Sequence, residues 1–119
     1  MVTPDQVKMV DKLYERAVGG DIAWKKGFEE GAFQASFSRY VVQISTTSSK
    51  DGLDVVIKIY NDEGDVIDSF TDVDISQSPH AYELYFQKMF GLYEIARRSA
   101  LGSDDAIRSI LSELDSEGL

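Results

Sequence analysis

Residues 32–70, AFQASFSRYVVQISTTSSKDGLDVVIKIYNDEGDVIDSF, decide the fold of this chain. Apolar and polar side chains alternate through much of this stretch, which is the spacing of strands that turn one face toward a core. Four segments are predicted as strands: 33–37, 40–45, 53–60 and 65–70. Lys50-Asp51-Gly52 and Asn61–Gly64 have the residue types of tight turns. The short connections predict an antiparallel meander of three to four strands.

A helix is predicted before this meander. Thr3 suits the N-cap position, and Pro4 suits the first helical turn. Apolar residues then recur at helical spacing, so we expect a helix over 4–18 that ends at Gly19-Gly20. Residues 19–31 are predicted to form a loop, because their apolar residues follow neither helical spacing nor strand alternation.

The last third of the chain predicts two more helices. Ser78-Pro79 repeats the start signal and indicates a long helix over 79–101. Gly102 would end it, and Ser103 would cap a final helix, followed by a frayed tail over 115–119. The final helix carries one apolar stripe: Ile107, Ile110, Leu111 and Leu114. We therefore expect one α+β domain over 1–119, in which the meander is flanked by an N-terminal helix and covered by two C-terminal helices.

Composition narrows the possible functions. The 119 residues carry a formal net charge of −9 and include no cysteine. Disulfides, thiolate catalysis and cysteine-based metal sites are therefore excluded. The few basic residues are scattered, which argues against nucleic acid and anionic membranes as partners. The N-terminus does not resemble a secretory leader, and no apolar run is long enough to span a bilayer, so we expect a cytoplasmic protein of bacterial type.

The acidic residues are concentrated between Lys58 and Lys88, where no Lys or Arg occurs. This stretch favours either a solvated hairpin or a surface that docks a basic protein. The residues expected to carry such docking are Asp65, Asp68, Asp72 and Asp74. An acidic inhibitor or immunity-type protein is therefore one hypothesis. The turn at Asn61–Gly64 does not fit the register of a calcium loop, so no metal site is predicted.

The sequence contains few residues or motifs that are typical of enzyme active sites. His80 is its only histidine, and there is no nucleophile elbow, phosphate-binding glycine loop or zinc-protease motif. We predict no catalytic residue and no cofactor, and expect a non-enzymatic protein. A small carboxylate-based enzyme or ligand-binding domain is the alternative, and it would need a pocket near Asp54, Asp68 or Glu83.

Aromatic residues are unusually dense in the predicted 79–101 helix. One helix covering a small sheet needs a stripe only somewhat wider than 100°. The residues that would widen the apolar face beyond this stripe are Tyr82, Phe86, Phe90 and Tyr93. Surplus aromatic surface is typical of protein interfaces, although neighbouring helices could also bury it. The leading hypothesis is thus a protein-interaction module, either a homodimer or a binder of another protein.

Several short patterns also suggest a relationship. They are Trp24, Gly31-x-Phe33-x-Ala35, residues 57–64, Leu92-Tyr93-x-x-Ala96-Arg97-Arg98, and Ala106-x-x-x-Ile110-Leu111-x-x-Leu114. Together they resemble a family of small, uncharacterised bacterial proteins over nearly the whole chain. The resemblance implies a bacterial, cytoplasmic, single-domain protein. It implies no activity and no site residues.

Overall fold

The computed structural model describes residues 2–50 and 52–116 and places them in one antiparallel sheet with four helices. In chain order the elements are α1 Pro4–Val18, β1 Lys25–Lys26, β2 Phe33–Phe37, β3 Tyr40–Ser49, β4 Gly52–Tyr60, β5 Val66–Thr71, α2 Asp72–Ser76, α3 Phe86–Leu101 and α4 Ser103–Asp115. The strands follow one another across the sheet in the order β1-β2-β3-β4-β5. The predicted α+β meander is therefore confirmed.

The predicted strand count is too low by one. Residues 19–31 were expected to be a loop, but Lys25 and Lys26 pair with Gln34 and Phe33 as a short edge strand. The pairing is held by backbone hydrogen bonds, and both lysines are exposed. A two-residue strand with no buried side chain has no alternation, so it leaves no signal in the sequence.

The core lies between the sheet and two helices. One row of apolar side chains crosses four strands in register: Phe33, Ile44, Ile57 and Phe70. Val10 of α1 and Met89 and Leu92 of α3 are fully or almost fully buried in the same cluster. The helix predicted over 4–18 is confirmed, and Thr3 and Gln6 form its capping box.

The helix predicted over 79–101 begins seven residues later, at Phe86. The prediction missed α2, where Thr71 and Asp74 form a capping box and Ile75 is buried. After α2 the chain turns back to the core, and the Tyr85 backbone N–H donates to Ser76 Oγ at 2.8 Å. Because Ser78-Pro79 lies inside this return, its residue types mark turns here and not a helix start.

The last helix does not cover the sheet as predicted, because α4 buries no residue. Gly102, with φ 68°, ends α3 and turns the chain, so Ser103 is the first residue of α4 and not its cap. Helix α4 continues through Asp115, into the tail predicted to fray. The rest of that tail, 117–119, and Asp51 of the predicted Lys50–Gly52 turn lie outside the described residues.

Candidate interaction surfaces

Helix α4 presents an unpacked apolar stripe. Ile107, Ile110, Leu111 and Leu114 are 47%, 53%, 51% and 60% exposed. They occupy positions i, i+3, i+4 and i+7, which place them on one face of the helix. Such a stripe normally faces a core. In this structure the main contacts of α4 are with the end of α3, so the stripe faces outward.

The charges of α4 are mostly acidic. Its described residues include Asp104, Asp105, Glu113 and Asp115 against a single cation, Arg108. Asp104 accepts a hydrogen bond from Arg98 at 2.6 Å, and Asp105 pairs with Arg108. Over residues 2–50 and 52–116, Glu113 and Asp115 take part in no ion pair. The C-terminal half of α4 therefore combines an apolar stripe with uncompensated negative charge.

An apolar groove of about 500 Å³ opens between α1 and one end of the sheet, and we call it the α1–sheet groove. Met9 and Leu13 of α1 line one wall. Phe37, Tyr40 and Ile67 line the other wall and are 40%, 42% and 53% exposed. The groove is therefore a second apolar surface that the described part of the chain leaves open.

Local backbone geometry forms the groove. Phe37 and Tyr40 face each other across a two-residue turn in which Ser38 has a φ of 56°. On β5, Asp68 pairs with Ile59 and Val66 pairs with Tyr60, so Ile67 is the extra residue of a bulge. A bulge re-aims the side chain that it carries. The turn and the bulge together gather three large apolar side chains at one end of the sheet.

The rim of the groove is basic on the α1 side. Lys12 and Arg16 line it beside Met9 and Leu13. Their ion pairs are long and exposed: Lys12 lies 4.0 Å from Glu15, and Arg16 lies 3.7 Å from Asp21. Exposed pairs of this kind contribute little stability. Both cations are therefore able to interact with an acidic partner at small cost.

Three of the four predicted aromatic interaction residues lie together on α3. The rings of Phe86 and Phe90 stack with centroids 5.6 Å apart, and Phe90 and Tyr93 are 6.0 Å apart. The Tyr93 hydroxyl donates to the backbone oxygen of Gly31, and its ring lies 5.7 Å from Phe33. Phe90 and Tyr93 are half-buried, and Phe86 is 37% exposed. Most of this aromatic surface is thus used within the fold.

Tyr82 lies elsewhere, in the segment before α3, beside a cluster around Lys88. Lys88 Nζ contacts Asp11 at 2.8 Å and the Tyr82 hydroxyl at 3.1 Å, and lies 5.1 Å from the centre of the Tyr85 ring. Burial of Lys88 opposes its charge, but the hydrogen bonds with Asp11 and Tyr82 outweigh that effect and raise the pKa of Lys88. The cluster joins the segment before α3 to α1.

The four predicted acidic docking residues do not form one face. Asp72 is buried and accepts a hydrogen bond from the backbone N–H of Val55 at 2.8 Å. Asp68 accepts from Gln6 Nε2 at 2.7 Å, and Asp74 caps α2. Asp65 is exposed in the β4–β5 turn. Three of these four carboxylates therefore already stabilise the fold.

A concavity of about 380 Å³ exists beside Asp68, and Asp74 also lines it. Asp68 is held by Gln6 of α1, and Asp74 is held by the backbone N–H of Thr71 at the start of α2. Both carboxylates therefore stabilise the fold. Asp54 is half-buried on β4, and Glu83 is exposed and lies 3.6 Å from Lys88 Nζ. Across the described ranges, no three acidic or histidine side chains come close enough to hold a metal ion. The helix predicted over 79–101 would place His80 in its first turn, but His80 is exposed in the segment before α3.

Sequence reasoning missed the open position of α4 and the α1–sheet groove. The stripe on α4 was visible, but the same pattern is expected whether or not a helix packs on its own sheet. Phe37 and Tyr40 lie on the predicted strands, but their exposure depends on which other elements cover them, and alternation alone does not predict that. The one usable signal for the groove was the apolar pair Val66-Ile67, because two successive apolar side chains break the alternation of the strand.

No protein-family model, curated protein or solved structure matches this chain. None of the helices in the described part of the chain has the length and apolar character needed to cross a membrane.

Proposed function

We propose that this protein is a non-enzymatic protein-interaction module whose binding element is α4. The observation that supports this proposal is the exposed stripe of Ile107, Ile110, Leu111 and Leu114 on a helix that buries no residue. Amphipathic helices that dock in grooves use anchors at these same i, i+3, i+4 and i+7 positions.

The energetics of α4 agree with a binding role. An isolated helix of 13 residues is marginal in water, and most helical stability in proteins comes from packing of the apolar face. Fully burying a Leu or Ile side chain contributes about 1.5–3 kcal/mol, so half-exposed anchors leave a substantial part of that free energy unused. Docking on a partner would recover it and would stabilise the helix at the same time.

The alternatives have less support. An acidic docking surface needs free carboxylates, whereas Asp68, Asp72 and Asp74 are hydrogen-bonded within the fold. A carboxylate-based enzyme needs acids directed at a substrate, and the concavity beside Asp68 contains acids that are committed to α1 and α2. The apolar stripe of α4, by contrast, is not buried by any other part of the described chain.

A pull-down from host lysate tests the proposal. Tagged wild-type protein is compared with an Ile110→Asp, Leu114→Asp variant, which places charge on the stripe. Leu84→Asp is the matched control, because Leu84 is 80% exposed and lies outside α4. We expect the wild type and the control to retain the same protein, which mass spectrometry identifies, and the stripe variant to lose it. Equal retention by all three proteins would refute the role of α4.

A further inference from the structure

We propose that the partner of α4 is a second copy of this chain, and that each copy lays its α4 in the α1–sheet groove of the other. This inference rests on the proposed function and names its partner. The result is a two-fold symmetric dimer in which the same helix–groove contact occurs twice.

The two surfaces match in length and chemistry. The groove wall on α1 runs from Met9 to Arg16, and the stripe on α4 runs from Ile107 to Leu114. Each spans eight residues, or about 10 Å from the first to the last at the helical rise. The groove has a volume of about 500 Å³, and most of its lining side chains are apolar. The stripe is therefore neither too long nor too polar for the groove.

Charge complementarity supports the α1–sheet groove as the site for α4. The groove rim carries Lys12 and Arg16, and α4 carries Glu113 and Asp115 outside any described ion pair. The aromatic stack on α3 is a weaker candidate, because Phe90 and Tyr93 are half-buried. Lys88 of the same helix is already held by Asp11 and Glu83. For two chains of net charge −9, association needs a local contact between opposite charges. The basic rim supplies that contact.

The position of α4 allows a reciprocal exchange. Ile22 lines the groove and also the cleft that contains Asp104, Asp105 and Arg108 of the first α4 turns. Each chain thus begins its own α4 next to its own groove, so two copies facing each other place each helix beside the groove of its neighbour. Making the contact twice also doubles the buried area, toward the roughly 1,600 Å² typical of stable interfaces.

A charge-swap experiment tests the inference by sedimentation equilibrium. The groove variant is Lys12→Glu, Arg16→Glu, and the helix variant is Glu113→Lys, Asp115→Lys. We expect the wild type to be a dimer and each variant to dissociate about tenfold more readily, because like charges then face each other. An equal mixture of the two variants should recover the wild-type affinity, since both contacts in the mixed dimer are complementary again. Leu84→Asp should dimerise as the wild type does.

Two results would overturn the inference. A wild-type protein that stays monomeric at every accessible concentration would show that α4 has no partner in a second copy. If Ile110→Asp weakens the dimer and the groove variant does not, then α4 binds a different surface of the second copy. In either case the lysate comparison decides the proposed function separately, because it detects any protein that depends on α4.

Discussion

Among single residues, Lys88 makes the most concentrated set of polar contacts. Its side chain is only 16% exposed, yet it contacts Asp11 and Glu83 and lies over the rings of Tyr14, Tyr82 and Tyr85. A half-buried ammonium needs such partners, because desolvation opposes its charge. The contacts span three parts of the chain, so Lys88 fixes the segment before α3 against α1.

Removing this charge should destabilise the fold. We expect Lys88→Met to lower the free energy of unfolding by about 2 kcal/mol, because Asp11 and the Tyr82 hydroxyl lose a charged hydrogen-bond partner. Urea denaturation measures the loss. Lys26→Met is the matched control, since Lys26 is exposed on β1, and its change should stay within about 0.5 kcal/mol. Equal effects of the two substitutions would contradict this account of Lys88.

The same cluster predicts loss of stability at alkaline pH. Burial raises the pKa of Tyr85, and contacts with Asp11 and Tyr82 raise the pKa of Lys88, so the folded chain holds both protons more tightly than the unfolded chain. Their contribution is complete below the unfolded pKa values, about 10 to 10.4, and is lost as the pH rises through the higher folded values. Urea denaturation from pH 8 upward should show a decline that begins near pH 10, and Tyr85→Phe should make it shallower. A flat profile through pH 11 in the wild type would contradict this prediction.

At the scale of elements, α4 is separable from the rest of the fold. It buries no residue, and α3 already ends at Gly102. A chain that stops after Gly102 should therefore fold with the same core and, in dilute solution where the full chain is monomeric, unfold at nearly the same urea concentration. Circular dichroism and urea denaturation check this, with a chain that stops before Phe86 as the unstable comparison. A large loss of stability on removing α4 alone would show that the helix packs on its own domain.

The elements also show how far sequence patterns determine this fold. Helix α1 and the main strands could be predicted, because capping residues, glycine turns and alternation are local signals. The start of α3 could not, because Ser78-Pro79 fits a turn as well as a helix start, and the Tyr85–Ser76 contact that decides between them is tertiary. The stripe on α4 was also predicted, but periodicity does not say which protein surface an apolar face meets.

At the scale of the whole molecule, the overall shape shows whether α4 projects from the core and so leaves the α1–sheet groove open. The Cα radius of gyration is 16.4 Å and the principal extents are 59 × 32 × 28 Å. A globular chain of 119 residues has an expected radius of roughly 13.5 Å. The excess fits a projecting α4, since the sheet and the other helices share one core.

Small-angle X-ray scattering of a monomeric variant should therefore measure an extended particle. We expect Ile110→Asp to keep the chain monomeric, and its radius of gyration should lie near 16 Å, with a long tail in the distance distribution from α4. The chain that stops after Gly102 is the compact reference and should lack that tail. A radius close to the globular expectation in the full-length variant would mean that α4 folds back over its own sheet. The α1–sheet groove would then have no room for a second copy, and the exchanged dimer would be refuted together with the extended shape.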